Sequence, residues 1–319
     1  MTWNPATLPS QTGRTFVITG ATAGIGYFAA EQLAGAGAHV VLASRSADKL
    51  GAAQASIRNY VPEASLSEVV IELGSFASVD AAVGKIAALP RLDGIFLNGG
   101  AMTMNRRTMT SDGLPILLGT HVAANIRLMA GILPLLSATG ETGGRLSRVV
   151  HASTGFVGIK RYGLQDVRGL PWTGIGAYTK AKTATEVFGH ELDRRLRAAG
   201  LPVASVLTRP GVGVDAKTPE RAGVRDAATP YRRNPYTPWA QGKDAAAYPA
   251  VRALTDPAVR GGEYFAPEER LRGMPVAVEP NAHTAGPVES PERLWLQLED
   301  LAGVQIPGLG APATQPDLR

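Results

Sequence analysis

Cysteine is absent from all 319 residues. Without a thiol there is no disulfide framework, no thiolate nucleophile and no cysteine-bound zinc. The five histidines, His39, His121, His151, His190 and His283, are scattered without the close spacing a metal site needs, so no metal is expected. Charge is also sparse. Only 18% of residues are Asp, Glu, Lys or Arg, and the formal excess is +5. The one local concentration is Arg221, Arg225, Arg232 and Arg233. A nucleic-acid surface carries a denser basic stripe, so nucleic acid is not expected as a partner. The N-terminus, Met-Thr-Trp-Asn-Pro, lacks the basic stretch and apolar core of a signal peptide. No apolar run reaches the roughly 18 residues that cross a bilayer. The expectation is a soluble, cytoplasmic protein with no membrane span and a small molecule as its partner.

What is plentiful is apolar and small. Hydrophobic residues make up 45% and there are 37 glycines, enough for a large core with close helix-to-sheet packing. After an irregular lead-in, Thr15–Thr19 reads as a buried strand, followed by a glycine-rich turn and an Ala-rich helix over Tyr27–Ala36. A strand at His39–Ala43 completes the strand–helix–strand unit that implies a parallel sheet. The alternation continues with helices predicted over Asp48–Asn59 and Val79–Leu89, and strands at Leu66–Leu73 and Leu92–Leu97. A long helical stretch covers Leu114–Leu136, with Pro134 expected to close or bend it. A fifth strand at Arg148–Ala152, a helix over Tyr178–Ala199 and a sixth strand at Val203–Leu207 follow.

After Pro210-Gly211 the periodicity weakens. Residues 212–240 are rich in Gly, Pro and Arg and are expected to form a substrate lid, with Tyr231, Tyr236 and Trp239 as its walls or as pins to the domain. A helix at Asp244–Leu254 and a last strand at Gly262–Phe265 end the unit. The prediction is one α/β domain over 13–270, a doubly wound parallel sheet. A C-terminal extension over 271–303 includes a helix at Pro291–Leu301, and a mobile tail occupies 304–319.

Two clusters carry chemistry. Gly20, Thr22, Gly24, Ile25 and Gly26 lie in the turn between the first strand and its helix. Glycine lets backbone approach a pyrophosphate, and a helix N-terminus supplies donors for it. Further on, Tyr178 and Lys182 stand four apart on a helical run, hence on one face, with Lys180 off it. An ammonium beside a phenol is expected to pull the phenol's pKa below its usual value of about 10, making it a usable proton donor.

The order Thr19–Gly26, matching Thr-Gly-x-x-x-Gly-x-Gly, then Tyr178-x-x-x-Lys182, then Pro210-Gly211 resembles the short-chain dehydrogenase/reductase family over about residues 13–270. The Gly261-Gly262-Glu-Tyr-Phe ending is most similar to the retinol-dehydrogenase-like branch. The resemblance implies a Rossmann-type fold and a nicotinamide cofactor. Arg45, where a carboxylate would select NAD, implies NADP(H). Glu72-Leu73 would lie near adenine, Asn98-Gly99-Gly100 near the ribose, and Pro210-Gly211 beside the nicotinamide. The family's catalytic serine falls at Thr154, with Ser153 as second choice. Its relay asparagine falls at His121, with Asn125 one turn on. The implied activity is hydride transfer between the nicotinamide and a carbonyl or alcohol. Lys182 would tune Tyr178 and bind the ribose. His151, Phe156, Arg161 and Trp172, between the fifth strand and Tyr178, are candidate pocket residues for a bulky lipophilic substrate. Reduction of a conjugated C=C bond, or cofactor binding with little catalysis, are the alternatives. The helix bearing Tyr178 ends in Glu191, Asp193, Arg194, Arg195 and Arg197, read as a solvated flank; a monomer or a homodimer is compatible with it.

Overall fold

Eight strands line up in the order β3-β2-β1-β4-β5-β6-β7-β8. The computed structural model describes residues 3–103, 105–226, 234–286 and 291–310. The strands are β1 (Thr15–Thr19), β2 (His39–Ser44), β3 (Ser65–Val70), β4 (Gly94–Leu97), β5 (Ser147–Ala152), β6 (Val203–Thr208), β7 (Tyr264–Pro267) and β8 (Pro275–Ala277). All neighbours are parallel except β7 and β8, which pair antiparallel. The helices between β1 and β6 are α1 (Gly24–Gly35), α2 (Ala47–Tyr60), α3 (Phe76–Ala87), α4 (Ile116–Gly143), α5 (Phe156–Ile159) and α6 (Gly174–Ala198). Beyond β6 come α7 (Lys243–Ala246), α8 (Tyr248–Thr255), α9 (Ala282–Ala285) and α10 (Pro291–Ala302).

Side chains of a strand alternate between its two faces, and both faces here are covered. In β1, Phe16 and Ile18 enter the core shared with α1 and α8, while Val17 enters the core shared with α3, α4 and α6. The chain leaves β1 toward β2 on one side and β4 lies on the other. Such a reversal opens a crevice at the carboxyl ends of the strands, where open α/β sheets hold ligands.

Several boundaries differ from the sequence reading for physical reasons. α1 begins at Gly24 and α6 at Gly174, both earlier than expected, because glycines with poor helix propensity hid their first turns. Thr173 caps α6, accepting from the Gly176 N–H at 3.0 Å. Pro134 does not end α4. It sits on the exposed side while Ile132, Leu133 and Leu136 hold the helix in the core, and Gly144, at φ 61°, closes it. The helix expected over Asp244–Leu254 divides at Ala247, with Pro249 in the first turn of α8. β8, short and opened by a proline, went unread.

α4, contrary to the expectation from uninterrupted apolar runs, is long and apolar enough to cross a membrane by length and composition. It is a core helix, with most of its apolar stretch buried inside the domain. The expected solvated flank of α6 is also corrected. Asp193 and Arg195 are buried, and Arg195 donates to Glu191 (2.7 Å), Glu292 (2.6 Å) and the Leu309 carbonyl (2.8 Å). α10 covers this face: Trp295 stacks on Phe188 at 5.5 Å and carries Arg195 on its ring at 4.3 Å. The segment from Val304, expected to trail away, packs on the domain as far as Leu309, because Ile306 and Leu309 find places in the core. Beyond Gly310 that tail, like Tyr231, Arg232 and Arg233, lies outside the described residues.

Candidate active site

The glycine turn is shaped by contact with its own backbone. Gly20 and Gly24 have φ of 68° and 61°, a region that side chains disfavour. A Cβ on Gly26 would lie 2.4 Å from the Gly20 carbonyl oxygen and 2.7 Å from Asn98 Nδ2. No side chain caps α1, so the N–H groups of its first turn are left for a ligand. This donor set fits a dinucleotide pyrophosphate. Asn98 Nδ2 donates to the Thr19 carbonyl at 3.0 Å, and the Thr19 hydroxyl accepts from the Asn98 and Gly99 N–H groups. The ends of β1 and β4 are thereby locked. We expect Gly26→Ala to lower cofactor affinity more than about tenfold, read by NADPH fluorescence titration, since backbone cannot rotate away from the new methyl.

At the far end of the crevice, Thr22 and Ser44 share a hydroxyl contact at 3.3 Å. Arg45 projects into solvent with its side chain 76% exposed, 3.9 Å from Glu72. Glu72 turns back to accept from the Gly74 N–H at 2.9 Å, and Leu73 packs beside Gly99. On the opposite side, Gly211 (φ 67°) presses against the Leu271 carbonyl, and Gln241 Nε2 donates to the Pro210 carbonyl at 2.9 Å. Lys243, not anticipated from sequence, lays its stem beside Gly24 and donates to Asp215 at 2.6 Å. No spacing signal could have placed it there.

The reacting groups converge where β5 ends and α6 begins its second turn. The Thr154 hydroxyl stands near the Tyr178 phenol and favours its ionised form. Ser153 is turned the other way, donating to Glu186 at 2.5 Å. Lys182 is buried, donates to the Ala152 carbonyl at 2.5 Å, and places Nζ 5.9 Å from the Tyr178 ring centroid. Burial lowers its pKa to about 8, against the opposing pull of Glu186. The expected depression of Tyr178 by Lys182 is corrected. Burial raises the phenol's pKa, with Thr154 partly offsetting it.

Residues 14–162 match the short chain dehydrogenase family profile. Over 315 residues, 97% of this chain and 88% of the relative, the sequence is 30% identical to polyprenol dehydrogenase of Mus musculus. The chain belongs to the short-chain dehydrogenase/reductase family. An uncharacterized protein from Mycobacterium Paratuberculosis shares its structure at TM-score 0.75 with 26% identity, covering 96% of this chain and 99% of the other. A short chain dehydrogenase from Shigella flexneri, complexed with NADP, shares the fold at TM-score 0.59 and 22% identity, covering 80% and 96%.

Two further side chains stand close to the tyrosine. His121 sits in a π-helical turn of α4, Gly119–Ala123, edge-on to Tyr178 with ring centroids 5.5 Å apart. Its Nε2–H donates to the Ala101 carbonyl at 2.9 Å, so Nδ1 holds the lone pair, buried and without a partner among the described residues. Burial, with Lys182 adding to it, lowers the His121 pKa to about 3, so it stays neutral near pH 7. Asn125 folds back to donate to the His121 carbonyl at 3.0 Å. A Cβ on Gly100 would overlap the imidazole. His151, a candidate pocket residue, is instead a core residue bonded to Ser205 at 3.0 Å.

The His121 pKa carries a sign. Between about pH 6.5 and about pH 3 the unfolded chain binds a proton that native His121 refuses, so stability falls as pH falls. In thermal melts, His121→Asn should lose less melting temperature on acidification than the parent. His151, lowered to about 3 by burial, continues to contribute in both.

Glu186 escaped the sequence reading. It is fully buried and accepts from Ser153, Tyr264 (2.8 Å), Asn281 (2.9 Å) and Thr284 (2.8 Å). Its signal was available: an acid one turn beyond Lys182 on an otherwise buried face.

Proposed function

We propose that this enzyme reduces the carbonyl group of a bulky lipophilic small molecule with NADPH. The observation that carries the reading is the pairing of Thr154 with Tyr178 above a buried Lys182, at the carboxyl ends of the strands. Two hydroxyls side by side can both hydrogen-bond one carbonyl oxygen and fix its carbon toward the crevice. The nicotinamide, when bound, supplies the hydride. Tyr178 donates its proton to the oxygen as negative charge develops there. A phenol raised above its usual pKa is protonated near pH 7, which suits reduction better than the reverse reaction. Lys182 is cationic below about pH 8 and lends positive charge beneath the site.

Arg45 supports the choice of NADPH. It is exposed, with only a long contact to Glu72, and stands where a ribose 2′-phosphate would need a cation. The lipophilic substrate is supported by the surroundings of Thr154 and the loop after β6, where Phe156, Tyr236 and Trp239 stand exposed. Tyr236 and Trp239 are therefore free to meet a ligand rather than pinned in the core. The Mus musculus relative is named for a polyprenol. A panel of ketones, aldehydes and enones followed by NADPH absorbance tests the reading. The expected result is turnover of apolar ketones or aldehydes, with NADPH preferred to NADH and that preference reduced in Arg45→Ala. Turnover of enones alone, or tight NADPH binding without any turnover, would overturn it.

A further inference from the structure

The loops beside Tyr178 display large apolar side chains that no described residue buries. Trp172 is 91% exposed and Ile159 81% exposed, with Phe156 and Ile175 also standing out. A soluble domain seldom leaves a group of such residues open to water, and one that does is marking a contact surface. The group is contiguous. Ile159 and Lys160 end α5, Lys160 lies over the Tyr162 ring at 5.3 Å, and Tyr162 packs against the turn at Pro171 and Gly176 that carries Trp172 and Ile175. The loop after β4 joins from the other side, with Arg106 over the Trp172 ring at 5.8 Å and Met102 exposed.

Charge around this group has one sign. Arg106, Arg107, Lys160 and Arg161 stand on these two loops, and none of the four forms an ion pair among the described residues. Arg168 is turned away to Asp300 at 3.0 Å. Residues 101–110 contain no acid, and residues 155–177 contain only Asp166, whose Oδ1 accepts from the Arg168 N–H. The arrangement is an exposed Trp and aliphatic tip ringed by unpaired cations. Tryptophan and aliphatic side chains enter the headgroup boundary of a bilayer, while lysine and arginine meet anionic headgroups there.

We infer that this rim docks the enzyme on the surface of an anionic lipid bilayer, with Trp172 and Ile159 entering the headgroup layer. Charge complementarity selects the bilayer over a second copy of the chain, since two such rims would bring like charges together. The docked face is the one that holds Thr154 and Tyr178, so the mouth of the site would open toward lipid. No spanning helix is required, and the docking does not depend on which carbonyl is reduced.

The test uses the full chain without cofactor or substrate, so that its outcome is separate from any failure of the catalytic reading. Protein is sedimented with phosphatidylcholine vesicles that contain or lack phosphatidylglycerol, at low and high salt. Binding to the anionic vesicles, released by salt, is expected. Removing a cation near the surface weakens binding about fivefold, so Lys160→Gln with Arg161→Gln should cost roughly 25-fold. Trp172→Ser should cost about tenfold, with Ile159→Ser as an independent second variant and unchanged melting temperatures as the control for folding. Protein that stays in the supernatant with both vesicle types would overturn the inference. So would binding indifferent to all of these substitutions, or a lipid-free dimer that the same substitutions dissociate.

Discussion

For the proposed carbonyl reduction with NADPH, Tyr178→Phe is expected to lower kcat by about a hundred- to ten-thousandfold while leaving NADPH affinity nearly unchanged. The magnitude is that of losing a positioned general acid. The selectivity follows from the structure. Phenylalanine keeps the ring that meets His121 edge-on at 5.5 Å, and Lys182 keeps its bond to the Ala152 carbonyl. Only the hydroxyl beside Thr154 is lost. Stopped-flow turnover together with equilibrium NADPH titration separates the two effects. Near-normal kcat in the variant would remove Tyr178 from the mechanism. The parent's rate should also decline above about pH 8 as Lys182 gives up its proton.

Glu186→Ala has the second large effect, and it falls first on stability. Four donors, buried on Ser153, Tyr264 and Thr284 and half-buried on Asn281, lose their acceptor at once. Each unsatisfied buried group costs about 1–3 kcal/mol, and partial hydration of the new space recovers some of it, so a loss of about 3–5 kcal/mol is expected. For a chain of this size that is a fall of about 10 °C in melting temperature. Glu186→Gln, which keeps volume and one acceptor oxygen, should lose less. Glu186 also raises the Lys182 pKa against burial, so the decline of rate at alkaline pH should begin lower in either variant. Calorimetry and a pH–rate profile read the two consequences separately. An unchanged melting temperature in Glu186→Ala would contradict the buried hub.

The sheet was legible because its strands are short apolar runs punctuated by glycine turns, a pattern set by local chemistry. The order of motifs then placed the crevice. What sequence could not supply was orientation. Ser153 and Thr154 are neighbours, yet the chain leaving β5 sends one hydroxyl to Glu186 and leaves the other beside Tyr178. Lys182 and Tyr178 share a helix face as the four-residue spacing requires, yet burial rather than charge decides the direction of the phenol's pKa. His151 looked like a pocket residue until its strand turned it onto Ser205. Asn281, Thr284 and Lys243 reach the site across the fold, and no pattern near the motifs foretells such contacts.

Both ends of the described chain are fastened to the middle of the fold. Near the start, Trp3 donates its indole N–H to Thr255, 252 residues away. Near the end, the Leu309 carbonyl receives Arg195 from the helix that carries Tyr178. During synthesis, Phe188 and Arg195 would emerge long before Trp295 and Leu309 arrive to cover them. A nascent chain would hold a nearly complete sheet with one oily flank open, a natural landing place for a chaperone until translation closes it.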